Sequence, residues 1–175
     1  MTTEIIQRIS LIYPNLLILT YTITQLSRKQ FVLNPPFREI NSSDASKEFA
    51  NELYPINNID LAYLVEQNIK NRYVFVYDFN DRVLGFIVFI DMDDHFYLDL
   101  VEVNQLYPES SGVGYMLIKL LENLAKRENY SRITLFSTEN RIAYYQNLGY
   151  EITGESVQDQ NYGSLTPMQK VFQTD

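Results

Sequence analysis

The chain has 175 residues, 46% of them hydrophobic and 21% charged, which suits one domain with its own buried core. Its 22 acidic and 14 basic side chains leave a net charge of −8, which disfavours nonspecific nucleic-acid binding and suits cationic partners such as amines. With no cysteine, disulfides, thiolate metal sites and a cysteine nucleophile are excluded, and an intracellular, cytoplasmic setting is expected.

The N-terminus lacks a basic leader region, and the apolar run from Ile9 to Ile23 is interrupted by Pro14 and Asn15 and is too short to span a bilayer, so no membrane segment is expected. Thr3 to Ile12 reads as a short amphipathic helix, and Leu16 to Leu26 alternates in part, with Leu17, Leu19, Tyr21 and Ile23 on one side. Phe37 to Ile40 reads as a strand, followed by a helix capped by Ser43 or Asp44, carrying Phe49, Ala50 and Leu53, and ended by Pro55. A second helix is expected from Ile59 to about Ile69, then strands Arg72 to Phe79 and Arg82 to Asp91 around an Asn80-Asp81 turn. Gly85 inside the second of these marks a bulge or a close approach.

His95 to Val103 is aromatic and β-branched without a breaker, the pattern of a largely buried strand. It leads to Pro108-Glu109-Ser110-Ser111-Gly112-Val113-Gly114-Tyr115-Met116 and into a helix with Leu117, Leu120, Leu121 and Leu124 on one face and Lys119, Glu122 and Lys126 on another. The first amides of a helix have no intrahelical acceptor and sit at the positive end of its dipole, so a strand, a glycine turn and a helix start together form a candidate phosphate cradle. Beyond it come strand Arg132 to Ser137, a short helix over Ile142 to Leu148 stopped by Gly149, and strands near Tyr150 to Thr153 and Thr166 to Phe172. This order predicts a mixed central sheet with helices on both faces.

Three segments carry a resemblance. Glu109-Ser110-Ser111-Gly112-Val113-Gly114 resembles the acyl-CoA loop Gln/Arg-x-x-Gly-x-Gly/Ala of the GNAT superfamily of N-acetyltransferases, with both glycines in place and Glu109 departing at the first position. Tyr144-Tyr145-Gln146-Asn147-Leu148-Gly149-Tyr150 resembles that family's Phe-Tyr-Glu-Lys-Leu-Gly-Phe, and Phe37 to Ala45 resembles its opening strand and cap. The resemblance covers roughly Phe37 to Phe172, so residues 1–36 read as an extension packed on a domain of residues 37–175. It implies an α/β (α+β) fold: a mixed, mostly antiparallel sheet of six to seven strands, flanked by helices and splayed at the acyl-CoA site.

The resemblance further implies an N-acyltransferase, most simply an N-acetyltransferase, using acetyl-CoA or another acyl-CoA. In its terms Val101 and Val103 offer backbone bonds to pantetheine, and Ser111, Gly112, Val113, Gly114 and Tyr115, with Asn140, bind the rest of the donor. Tyr145 matches the family tyrosine, a phenol able to protonate the leaving thiolate. Packing alone is the other role open to Tyr144 and Tyr145.

For the base, Glu102 is favoured and Asp99 is the alternate; their odd spacing puts them on opposite strand faces, so at most one faces the site. Asp91 to Glu102 mimics the spacing of a calcium loop, but Phe96 stands where that loop needs glycine, so no metal is expected and His95 reads as a turn residue. Phe75, Tyr77, Phe86, Phe89, Phe96 and Tyr97 could line an acceptor or acyl pocket, but strand aromatics are usually core, and they are read as core here. The acceptor is expected to be an amine on a small molecule or peptide, with residues 1–36 covering the acceptor cleft, holding a partner or completing a homodimer. Other readings are a non-catalytic acyl-CoA-binding or interaction module, and an acyltransferase for longer or carrier-protein-bound donors, since Glu109 adds repulsion beside a phosphate unless it points away.

Overall fold

The computed structural model describes residues 28–50, 59–69 and 71–172. The expected helix over Thr3 to Ile12, the alternation from Leu16 to Leu26, and the helix end at Leu53 to Pro55 lie outside the described residues. The elements run β1 (Phe37–Glu39), α1 (Leu61–Gln67), β2 (Arg72–Phe79), β3 (Arg82–Asp91), β4 (Phe96–Val103), α2 (Val113–Arg127), β5 (Arg132–Thr138), α3 (Ile142–Asn147), β6 (Glu151–Ile152), β7 (Val157–Asp159) and β8 (Gly163–Val171).

They build one sheet in the order β1-β2-β3-β4-β5-β8-β6, with β7 also pairing β8. Every pairing is antiparallel except β4 with β5. The sheet has eight strands rather than six or seven. The added one, β7, forms a hairpin with β8 in which Gly163 takes φ +73 and β8 starts three residues before the expected Thr166.

Alternation in β2 and β3 divides the core. One face carries Tyr73, Phe75, Leu84, Ile87 and Phe89 against Val113, Leu117, Ile118, Leu121 and Leu124 of α2. The other carries Val74, Val76, Val83, Phe86 and Val88 against Leu61 and Leu64 of α1, with Ile40 and Phe49. The expected core aromatics Phe75, Phe86, Phe89 and Phe96 are each 1% exposed or less. Residues 28–34 lie on the α2 face, where Phe31 meets the rings of Tyr73, Phe75, Phe89 and Phe96 edge-on at 4.9–5.9 Å.

Asn80 and Asp81 take φ of 52° and 61°, the left-handed pair that a tight hairpin between β2 and β3 requires. The segment after β1 differs from the expected helix. Asn41, not Ser43 or Asp44, is the cap, its side chain accepting from Ser43 N while Asp44 accepts from Asn41 N, and among the described residues up to 50 one 3-10 turn, Ser42–Asp44, follows. Four successive residues suited to capping leave the start ambiguous in sequence, and the buried Asp44 is claimed by Arg38 at 2.6 and 2.7 Å.

Gly85 fulfils both of its expected roles. The register with β2 shifts beside it, and a Cβ there would lie 2.6 Å from Val113 Cγ1 and 3.0 Å from Glu102 O. The glycine therefore lets the first turn of α2 seat directly on β3. Gly85→Ala should cost about 1–3 kcal/mol, the usual range for overpacking, seen as a lower urea midpoint; an unchanged midpoint would mean that Val113 moves aside freely.

Candidate active site

The parallel pairing of β4 and β5 is short: Phe96, Tyr97 and Leu98 face Ile133, Thr134 and Leu135, and there it stops. From Asp99 to Val103, β4 pairs with β3 alone, and from Phe136 to Thr138, β5 pairs with β8 alone. The two strands therefore part as a wedge that opens toward their C-terminal ends, leaving strand-edge N–H and C=O groups along the gap. Val101 and Val103 lie on this edge of β4, with side chains packed toward the α2 core.

A bulge marks where the wedge begins. Phe89 pairs with Leu98 but Val88 pairs with Leu100, so Asp99 is an inserted residue. This corrects the expectation that Asp99 and Glu102 face opposite ways. Asp99 reaches Arg72 Nη2 at 2.7 Å, and Arg72, two residues before Val74, belongs to the α1 face; Glu102, opposite Phe86, is on that face too. The inserted residue restores the parity that strict alternation would have broken.

The chain leaving β4 crosses to the helix through a 3-10 turn, Pro108–Ser110, and Gly112, the N-cap of α2, takes φ +80, a left-handed conformation suited to glycine. The helical ladder starts with Met116 N donating to Gly112 O at 3.1 Å, so the amides of Val113, Gly114 and Tyr115 precede it. No Cβ stands at Gly112 or Gly114, and one built at Gly112 would meet nothing within 4 Å. An anionic group can approach these donors closely, and Ser111 and Tyr115 flank them as exposed residues.

Glu109 points to Arg82 at the start of β3, with 3.9 Å between Nη1 and Oε1. Arg82 also covers the ring of Tyr107, 4.9 Å from its centroid. The acidic departure from the family loop is thus matched by a basic residue that sequence reading did not single out. Both side chains are about half exposed, so the pair contributes little to stability. It sets the local charge beside the glycine turn.

On the β5 side, Thr138 donates to Asn140 Oδ1 at 2.7 Å in the turn that leads to α3. Asn140 is exposed at the rim of the wedge. Tyr145, in α3, is half-buried against the α2 core and meets Tyr144 and Tyr150 edge-on at 5.4 and 5.6 Å. Burial pushes its phenol well above the ordinary tyrosine value; the charges of Tyr144 and Glu102 act the same way and Arg141 opposes them.

The sequence candidates are placed accordingly. Val101, Glu102 and Val103 lie on the stretch of β4 that has left β5, the glycine turn leads from β4 into α2, and Asn140 and Tyr145 follow the end of β5, in the turn before α3 and in α3 itself. Asp99 stands at the apex of the wedge, bonded to Arg72. The pseudo-calcium segment lies at the far end of β3 and β4: Asp91 accepts from Tyr130 and pairs with Lys29, and Asp94 pairs with Arg132 and His95. Among the described residues no three His, Cys, Asp or Glu side chains are grouped to hold a metal, and no helix is long and apolar enough to cross a membrane. An open hollow of about 440 Å³, lined by Glu39, Asn41, Val65 and Asn68 among others, lies by β1 and α1, away from the glycine turn.

The model of the Acetyltransferase (GNAT) family matches residues 35–150, which contain the whole wedge. The chain belongs to this family. A curated relative, probable N-acetyltransferase 14 from Xenopus tropicalis, is 32% identical over 90 residues, a stretch that is 49% of this chain and only 43% of that protein. Among solved structures, Ard1 from Thermoplasma volcanium superposes with TM-score 0.61 at 17% identity, covering 79% of this chain and 97% of its own. An aminoglycoside 6'-N-acetyltransferase complexed with coenzyme A superposes with TM-score 0.59 at 16% identity, covering 79% and 99%. At such identities the structural likeness concerns the GNAT fold alone. The match begins at residue 35, so Arg28, Lys29 and Phe31 lie outside the matched range.

Proposed function

We propose that the protein is an N-acyltransferase that moves an acetyl or related acyl group from acyl-CoA to an amine by direct attack in a ternary complex. The observation that carries this reading is the parting of β4 and β5 after Leu98 and Leu135, with the amide-rich start of α2 following β4 and the helix that holds Tyr145 following β5. Membership of an acetyltransferase family supports it, as does the coenzyme A bound in a solved structure of similar fold. The amides of Gly112 to Tyr115 suit the pyrophosphate and the free edge of β4 suits an amide-bearing arm; neither Gly112 nor Gly114 presents a side chain to obstruct them.

The bound thioester supplies an activated acyl carbon. Glu102, on the α1 face, accepts the proton that the amine sheds as the C–N bond forms. Tyr145, across the wedge, supplies a proton to sulfur as the C–S bond breaks. Because burial keeps its phenol protonated, Tyr145 acts first by hydrogen-bonding the developing thiolate, and full transfer follows late. Glu102, directly before Val103 on the stretch of β4 that has left β5, is the preferred base, and Asp99, which pairs with Arg72, is the alternate. The net charge of −8 favours a cationic amine, free or on a peptide. We also place the protein in the cytoplasm, on the absence of cysteine.

Release of thiol from acetyl-CoA, dependent on added amines such as polyamines and short peptides, tests this reading. Saturable, amine-dependent release supports it. Donor binding without release for any amine or any acyl length would favour the non-catalytic module. Preference for a longer acyl chain would move the assignment to that donor. Glu109→Gln should tighten donor binding about 2–5-fold at low salt, with less effect at high salt. An unchanged dissociation constant in calorimetry would mean that Arg82 already cancels the acid.

A further inference from the structure

The helix that presents Tyr145 is weakly held by its own residues. α3 is six residues long, none of them is buried, and among the described residues no side chain caps its N-terminus. Ile142, Tyr144 and Tyr145 are partly buried and pack against the edge of the α2 core. So short a helix has almost no stability of its own, and its placement depends on what grips its ends.

The grip is at the C-terminus. Tyr145 O accepts from both Leu148 N and Tyr150 N at 3.0 Å, closing the last turn around Gly149, which takes φ +87. Lys170, from β8, donates through Nζ to Leu148 O at 2.6 Å and so places a cation at the negative end of the helix. Its ammonium runs so close beneath Gly149 that a Cβ there would lie 3.6 Å from Nζ.

Lys170 is in turn held by an acid that sequence patterning assigns to the polar face of α2. Glu122 is 5% exposed; Oε1 accepts from Lys170 at 3.1 Å and Oε2 from Lys119 at 2.8 Å. Its two oxygens are thus taken by lysines from two elements, Lys119 of α2 itself and Lys170 of β8. A carboxylate so placed keeps the lysine from turning out to water.

We propose that Lys170, oriented by Glu122, is a positioning residue that fixes α3 and with it the Tyr145 phenol. The inference rests on the reading of Tyr145 as proton donor, and the test separates the two. Lys170→Met, Lys170→Arg, the double variant Glu122→Met/Lys170→Met and Tyr145→Phe are compared by amide hydrogen exchange over residues 142–150, by calorimetric affinity for acetyl-CoA and by turnover. Lys170→Met should raise exchange in that segment about tenfold or more and lower turnover by a similar factor, with donor affinity within about twofold. Arginine should recover most of both, since it can donate to the same carbonyl. The double variant removes both buried charges, so it should melt nearer the wild type while keeping the exchange and turnover defects. Unchanged exchange in Lys170→Met, or wild-type turnover in the folded double variant, overturns the proposal. Should Tyr145→Phe turn over normally while Lys170→Met loosens the segment, the anchor stands and the proton-donor role falls.

Discussion

Gly114→Glu should abolish measurable acyl-CoA binding while the protein melts at or above the wild-type temperature. The second position of α2 has room, since a Cβ there meets only Val103 Cγ1 at 3.4 Å. The first turn of α2 has no acidic residue, so a carboxylate there gains about 0.3–1 kcal/mol from the helix dipole. That carboxylate would occupy the amides assigned to the pyrophosphate and repel its charge. A loss of at least about 100-fold in affinity is expected, and the effect of like charge in close range makes that a lower bound. Calorimetry and a thermal melt on the same sample decide it, with Gly114→Ala as the control that adds bulk without charge. Retained binding in the glutamate variant would move the phosphates elsewhere.

Tyr145→Phe should lower turnover about 100-fold, the range for loss of a general acid, and leave donor affinity within about twofold. The same substitution should change the pH profile. Burial raises the phenol's pKa, so its proton is present throughout the neutral range and is lost only as pH rises past the ordinary tyrosine value of about 10. Wild-type turnover should therefore keep the Tyr145 contribution through about pH 10, where a phenol of ordinary pKa would already be losing it, and any fall at higher pH should be missing from the phenylalanine variant. The sign for stability is the same: the contribution of a raised phenol is complete below its unfolded pKa and lost above it, so a folding control accompanies the alkaline points. A phenylalanine variant with wild-type turnover and profile would leave Tyr145 with packing alone.

Much of the site was legible because its signals are local. Gly112 and Gly114 sit where a strand run gives way to a helix period, and Gly149 ends a short apolar segment, so turn chemistry and periodicity located the start of α2 and the end of α3, while Tyr145 and Asn140 entered through the resemblance alone. The Asn80-Asp81 hairpin was readable for the same reason.

The features that escaped depend on distant partners. The bulge at Asp99 has no residue-type signature; it arises where β4 leaves β5, and Arg72 two strands away holds the inserted side chain. Glu122 has a polar helix-wheel position, yet Lys170, 48 residues further on, draws it inside. Arg82 looked like an ordinary strand start until the turn brought Glu109 to it. The short β7 carries only exposed or half-exposed residues, so no alternation of burial announced it.

Hydrogen exchange of the wild-type protein with and without acetyl-CoA tests the central claim most directly. The account predicts new protection on both lips of the wedge, in residues 99–103 and 110–116 and around 138–145, with little change near β1 and α1. Absence of any protection, or protection confined to the hollow by Glu39 and Asn68, would contradict the assignment of the β4–β5 opening as the acyl-CoA site.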